Sequence, residues 1–124
     1  AEFALEPQKE PAKEPQKLSP QERQQLHREA MAKLQNKEYD EAEKIYLKLV
    51  RLIPKDYIAL YNLACVYSLT NRKAKAMEYL KKSVKAGYTN AGHMQTDTDL
   101  DNIREMEEFK KLIQEMLKRD KRNM

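Results

Sequence analysis

The sequence predicts an all-α protein: a short right-handed solenoid of antiparallel helix pairs, closed by a C-terminal capping helix. Three observations carry that reading. Only two Gly and no Trp occur in 124 residues, and nothing alternates with a period of two for long. Apolar residues instead recur at three- and four-residue spacing, in successive stripes. The stripes also echo one another, with Leu26 and Leu60, Ala30 and Ala64, Ala42 and Ala76, Tyr46 and Leu80, and Pro54 and Tyr88 each 34 residues apart. Small residues match small and large match large, except that Tyr88 replaces Pro54. A period of that length built from two helices is one that helical solenoids use.

The elements follow in order. Residues 1–18 read as a linker or stalk, because Glu6 to Lys17 runs EPQK-EPAK-EPQK with Pro7, Pro11 and Pro15 at every fourth position. Such spacing forbids a helix and favours polyproline II, in which twelve residues span roughly 37 Å at about 3.1 Å each. The helical domain is expected over 19–119. Ser19-Pro20-Gln21-Glu22 supplies an N-cap, a first-turn proline and a capping-box glutamate. Leu26, Ala30 and Leu34 stripe the first helix, and Asn36-Lys37 breaks it. Ala42, Ile45, Tyr46, Leu49 and Ile53 stripe the second, which Pro54 ends.

Asp56 then caps a third helix striped by Leu60, Leu63, Ala64 and Tyr67. Thr70-Asn71 turns the chain into a fourth, with Ala76, Met77, Leu80 and Val84, stopped by Gly87. The two repeats therefore occupy about 23–54 and 57–88. A cap occupies about 91–119, its last helix running from roughly Glu105 to Arg119 with Met106, Phe109, Leu112, Ile113 and Met116 on one stripe. Residues 120–124 form a basic tail.

Composition narrows the function classes. No apolar run approaches the roughly 18–20 residues needed to span a bilayer. The chain opens on Ala1 rather than Met, so an upstream segment or a larger protein is expected, or else Ala1-Glu2-Phe3 is a cloning scar. A stalk behind a missing start leans towards an envelope-anchored protein over a cytoplasmic one, with membrane contact only through such an anchor. The net charge of +4 is local, because Lys110 to Met124 carries six Lys or Arg against Glu115 and Asp120. Nucleic acid is not the expected partner: the basic stretch Arg72–Lys85 is answered by an acidic one, Asp97–Glu108, within the same domain.

Chemistry is thin. His27 and His93 sit on separate units with no paired Cys, so no metal spacing exists. Cys65 has no base near it in sequence and reads as a buried structural thiol. Asp97, Asp99 and Asp101 alternate like the start of a calcium loop and Glu108 matches its last ligand, but Asn102 stands where the loop's Gly belongs. Asp97 and Asp99 read instead as helix caps. No enzyme, cofactor or metal is expected.

The residues Leu60-Tyr61-Asn62-Leu63-Ala64-x-x-Tyr67, followed by Ala76 and Leu80, resemble the tetratricopeptide repeat, with Ala30, Tyr39, Ala42, Tyr46 and Pro54 as a looser first copy. Asp97, Asp99, Leu100 and Phe109 resemble the segment that closes many bacterial proteins of that kind. The resemblance implies a concave groove lined by the first helix of each repeat, and hence an adaptor that binds a protein or peptide. On this chain the groove residues would be His27, Met31, Leu34 and Gln35 beside Ile58, Tyr61, Asn62, Cys65 and Leu69. A clamp for a chaperone's terminal carboxylate is not implied, since only Asn62 fits it. Three rival expectations stand beside the open groove. The cap could fold into it, a second copy of the chain could cover it as a homodimer, or the chain could be an accessory domain of a larger signalling or envelope protein. The acidic stretch of the cap is expected to lie along the basic fourth helix; the alternative is that this helix is a free face for an acidic partner.

Overall fold

The computed structural model describes residues 17–122, and these are all-helical, with no strand among them. Six α-helices and one 3-10 helix follow in chain order: α1 (Pro20–Gln35), α2 (Tyr39–Leu52), α3 (Tyr57–Leu69), α4 (Lys73–Ala86), α5 (Ala91–Thr96), the 3-10 helix (Thr98–Ile103) and α6 (Glu107–Arg122). The stalk expected over 1–18 lies almost wholly outside the described residues, as does the end of the expected tail.

Local chemistry fixes the helix ends. The Ser19 hydroxyl accepts the Glu22 N–H at 3.1 Å, while the Ser19 N–H donates to the Glu22 carboxylate at 2.9 Å, a complete capping box with Pro20 behind it. Asp56 caps α3 through the Ala59 N–H at 3.1 Å, and Asn90 caps α5 through the His93 N–H at 3.0 Å. The turns after α1 and α3 close on left-handed residues, Lys37 at φ 63° and Asn71 at φ 61°, and α4 closes on Gly87 at φ 128°. The last helix starts two residues later than its stripe suggested and runs on to Arg122, so part of the expected tail is helical.

α1 packs on α2 and α3 on α4, and α2 joins the two by packing on α3. Ala30, Ala42, Ala59, Ala64 and Ala76 are fully buried where these helices meet, which lets the backbones approach closely. Larger groups (Tyr46, Leu49, Leu63, Tyr67, Met77 and Leu80) fill the space between. One apolar cluster then continues from Ala30 to Met116, through Met94, Leu100, Ile103 and Phe109.

α3 is the axis of the molecule. Nine of its residues, Ala59 to Tyr61 and Leu63 to Ser68, are buried, so it is covered on nearly every side. The 3-10 helix lies against it, while α6 packs on α4 and α5. The acidic stretch is thus divided. Glu108 reaches the basic helix α4 through Lys81 at 2.8 Å, but Asp97 turns to α3.

Candidate partner-binding face

Helices α1 and α3 are joined by a polar clasp. Asp56 is 1 % exposed, and its Oδ2 stands 2.8 Å from His27 Nε2 and 3.4 Å from Arg23 Nε. Its Oδ1 accepts the Ala59 N–H. Burial acts to raise this carboxyl's pKa, but the His27 and Ala59 hydrogen bonds and the His27 and Arg23 charges outweigh it and hold the group below its ordinary value. The Tyr46 ring lies beneath His27, with centroids 6.4 Å apart, and its hydroxyl is buried without a hydrogen-bond partner among the described residues.

Next to this clasp two apolar side chains reach solvent, Met31 on α1 at 36 % and Ile58 on α3 at 45 %. Gln35 is exposed beside Met31, and Asn62 and Leu69 are half-buried along α3. His27 is half-buried as well. These six residues remain accessible.

The other three expected groove residues do not. Leu34 is buried in the core between helices. Tyr61 and Cys65, at 4 % and 1 % exposure, lie under the cover formed by Tyr88, α5 and the start of the 3-10 helix. The Tyr61 ring stacks on Tyr88 with centroids 4.4 Å apart and planes at 12°. Its hydroxyl donates to Asp97 Oδ2 at 2.7 Å, and the Cys65 thiol approaches the same oxygen at 3.9 Å. The segment expected to seal the end of the stack therefore covers Tyr61 and Cys65 of the expected groove. Sequence carried a signal for this: ALYNLACVY holds no charge, and a helix greasy all round is a buried one.

Asp97, Asp99 and Cys65 offer ligand atoms within 4.8 Å of one another, the arrangement a cation would need. They are occupied otherwise. Asp97 Oδ1 accepts the Asp99 N–H at 3.0 Å and so caps the 3-10 helix, while Oδ2 takes Tyr61 and faces His93 Nε2 at 3.3 Å. Burial pushes the Cys65 thiol well up, and the charges of Asp97 and Asp99 add to this, the reverse of what activates a nucleophile. Burial, then repulsion from Asp97 and Asp101, also raises the Asp99 carboxyl. Asp97 is a cap, as expected; the Asp99 side chain makes no such bond among the described residues.

Two contributors had no sequence signal. Arg104 donates to the backbone carbonyls of Met94, Gln95 and Asp97 and to the Asp101 carboxylate, tying α5 to the 3-10 helix. Glu43 on α2 receives Arg72 at 3.0 Å and the Tyr67 hydroxyl at 2.9 Å, locking α2 to the start of α4.

With this geometry in hand, comparison with known proteins corrects the family. A model described as A/B hydrolase-like, N-terminal domain matches residues 22–124, and the chain belongs to that family. A chloroplastic protein of the plant Arabidopsis thaliana is 28 % identical over 91 residues, which is 71 % of this chain and 27 % of that protein. The chain thus spans about a quarter of the relative's length. No solved structure matches. The tetratricopeptide assignment is accordingly withdrawn. Its 34-residue echo has a physical source that is not confined to one family: two helix-turn-helix segments of similar length both place alanines where helices cross.

Proposed function

We propose that this chain is a non-catalytic helical module that binds a protein or peptide on the face between α1 and α3. In this reading the α1–α2 and α3–α4 pairs are antiparallel hairpins stacked as a short right-handed array, with the leading helices side by side. The exposure of Met31 and Ile58 carries the proposal, because most other apolar residues of these two helices are packed away. Met is adaptable and Ile is rigid, and the polar rim of Gln35, Asn62 and His27 gives a partner hydrogen-bonding groups. The protonated, buried thiol of Cys65 and the engaged His27 and His93 favour binding over catalysis.

Affinity capture with the parent chain and with the Met31→Asp/Ile58→Asp variant tests this. A partner recovered by the parent should lose about tenfold or more in affinity for the variant, roughly 1–3 kcal/mol, at unchanged helicity. Equal affinity for both would end the proposal. The family description favours a second reading, in which the same face docks against another domain of a longer protein. In that case capture in trans fails, and residues around Met31 and Ile58 gain hydrogen-exchange protection when the longer protein is compared with this chain.

A further inference from the structure

We infer that the cleft between α4 and α6 is a second docking site, one that receives an acidic amphipathic peptide segment of another protein. The cleft has a volume of about 390 Å³ and presents more apolar than polar surface. Val84 and Leu112 form its floor, and Lys81, Lys85, Lys111 and Arg119 stand around it. Neither Met31 nor Ile58 lines it, so it is separate from the face between α1 and α3.

Charge selects the occupant. α4 carries five Lys against Glu78, and α6 carries six Lys or Arg against four acids. Together they hold a surplus of six positive charges in a chain whose net charge is +4, so the remainder is slightly acidic. Within the cleft Lys81 is neutralised by Glu108 at 2.8 Å. Lys85, Lys111 and Arg119 have no acidic partner within 4.0 Å among the described residues, and all three are exposed. A helix or strand with carboxylates flanking an apolar side chain satisfies the rim and the floor together.

The same features disfavour the other anionic macromolecules. No aromatic side chain lines the cleft for a base to stack on. Val84 and Leu112 are recessed, at 7 % and 8 % exposure, whereas a bilayer surface needs apolar groups that protrude.

The test uses a fluorescein-labelled, end-capped peptide of repeated Glu-Glu-Leu-Leu, titrated with the whole chain and read by fluorescence anisotropy. Saturable binding is expected, weakening as salt rises. Lys85→Glu with Lys111→Glu should reduce affinity by at least about tenfold. Reversing an equal number of charges elsewhere, with Lys44→Glu and Lys55→Glu, should change it by less than about threefold. A peptide with Ser in place of Leu should bind at least about tenfold more weakly than the parent peptide. Circular dichroism checks that the variants stay helical, and exposed lysines give no reason for them to unfold. The proposal is overturned by an absence of saturable binding, or by equal losses for the two pairs of charge reversals. Undiminished binding of the Ser peptide would also overturn it, as would tighter, Lys85- and Lys111-dependent binding to an oligonucleotide or to phosphatidylserine vesicles.

Discussion

Asp56 is the residue on which most depends, because a carboxylate almost without water is held by three neighbours. Its folded pKa lies below the ordinary 3.8. A depressed carboxylate contributes stability that is present above its unfolded value and is lost as pH falls through the folded one. Asp56→Asn should therefore cost about 1–3 kcal/mol near pH 7, and less near pH 3. Urea unfolding at the two pH values measures it, and an equal cost at both would refute the assignment. Cys65 gives a second residue-level expectation. Its thiol should react with iodoacetamide at least about a hundredfold more slowly in the folded chain than in denaturant, since thiolate and access are both suppressed. Mass spectrometry over a time course reads the rates. The caps at Ser19, Asp56 and Asp97 were legible in the sequence, because a cap bonds to residues two or three positions away. The His27–Asp56 contact was not, since it spans 29 residues and depends on how α1 meets α3.

Bounds of the long helices were legible to within about three residues, because Pro, Gly and periodic apolar positions act locally. What a helix faces was less so. The uncharged run in α3 announced burial, yet the cap element that lies against it is the 3-10 helix, only six residues long and without periodicity of its own. Gly87 joins α4 to that cover. At φ 128° any side chain is strained, and a Cβ there would meet the Tyr57 ring at 3.4 Å. Gly87→Ala should thus destabilise by at least about 1 kcal/mol, measured by denaturant midpoint at constant m. Phe109, 2 % exposed, anchors α6, and Phe109→Ala should cost about 3–5 kcal/mol. By contrast Lys81 and Glu108, both about half exposed, should show a coupling of no more than about 1 kcal/mol in a double-mutant cycle. Apolar contact, not charge, holds α6 in place.

At the scale of the molecule, the all-helical class was legible from composition and period, whereas the family was not. Similar helix lengths and alanines at crossings recur wherever short helices pack in pairs, so a matching period did not identify ancestry. The continuous cluster from Ala30 to Met116 should make the described helices one cooperative unit. Thermal melts followed by far-ultraviolet circular dichroism and by tyrosine fluorescence should coincide, and two separated midpoints would divide the unit.

The cover over α3 also decides how small a piece can be handled alone. A fragment ended at Gly87 would keep α1 to α4 but strip the lid from Tyr61, Cys65 and Ser68. The stacking face of Tyr61 and a thiol would then look outward along one continuous strip. Such a fragment should clump at concentrations where the intact chain stays dispersed, so that shortening the protein to its first four helices would trade a smaller molecule for an insoluble one.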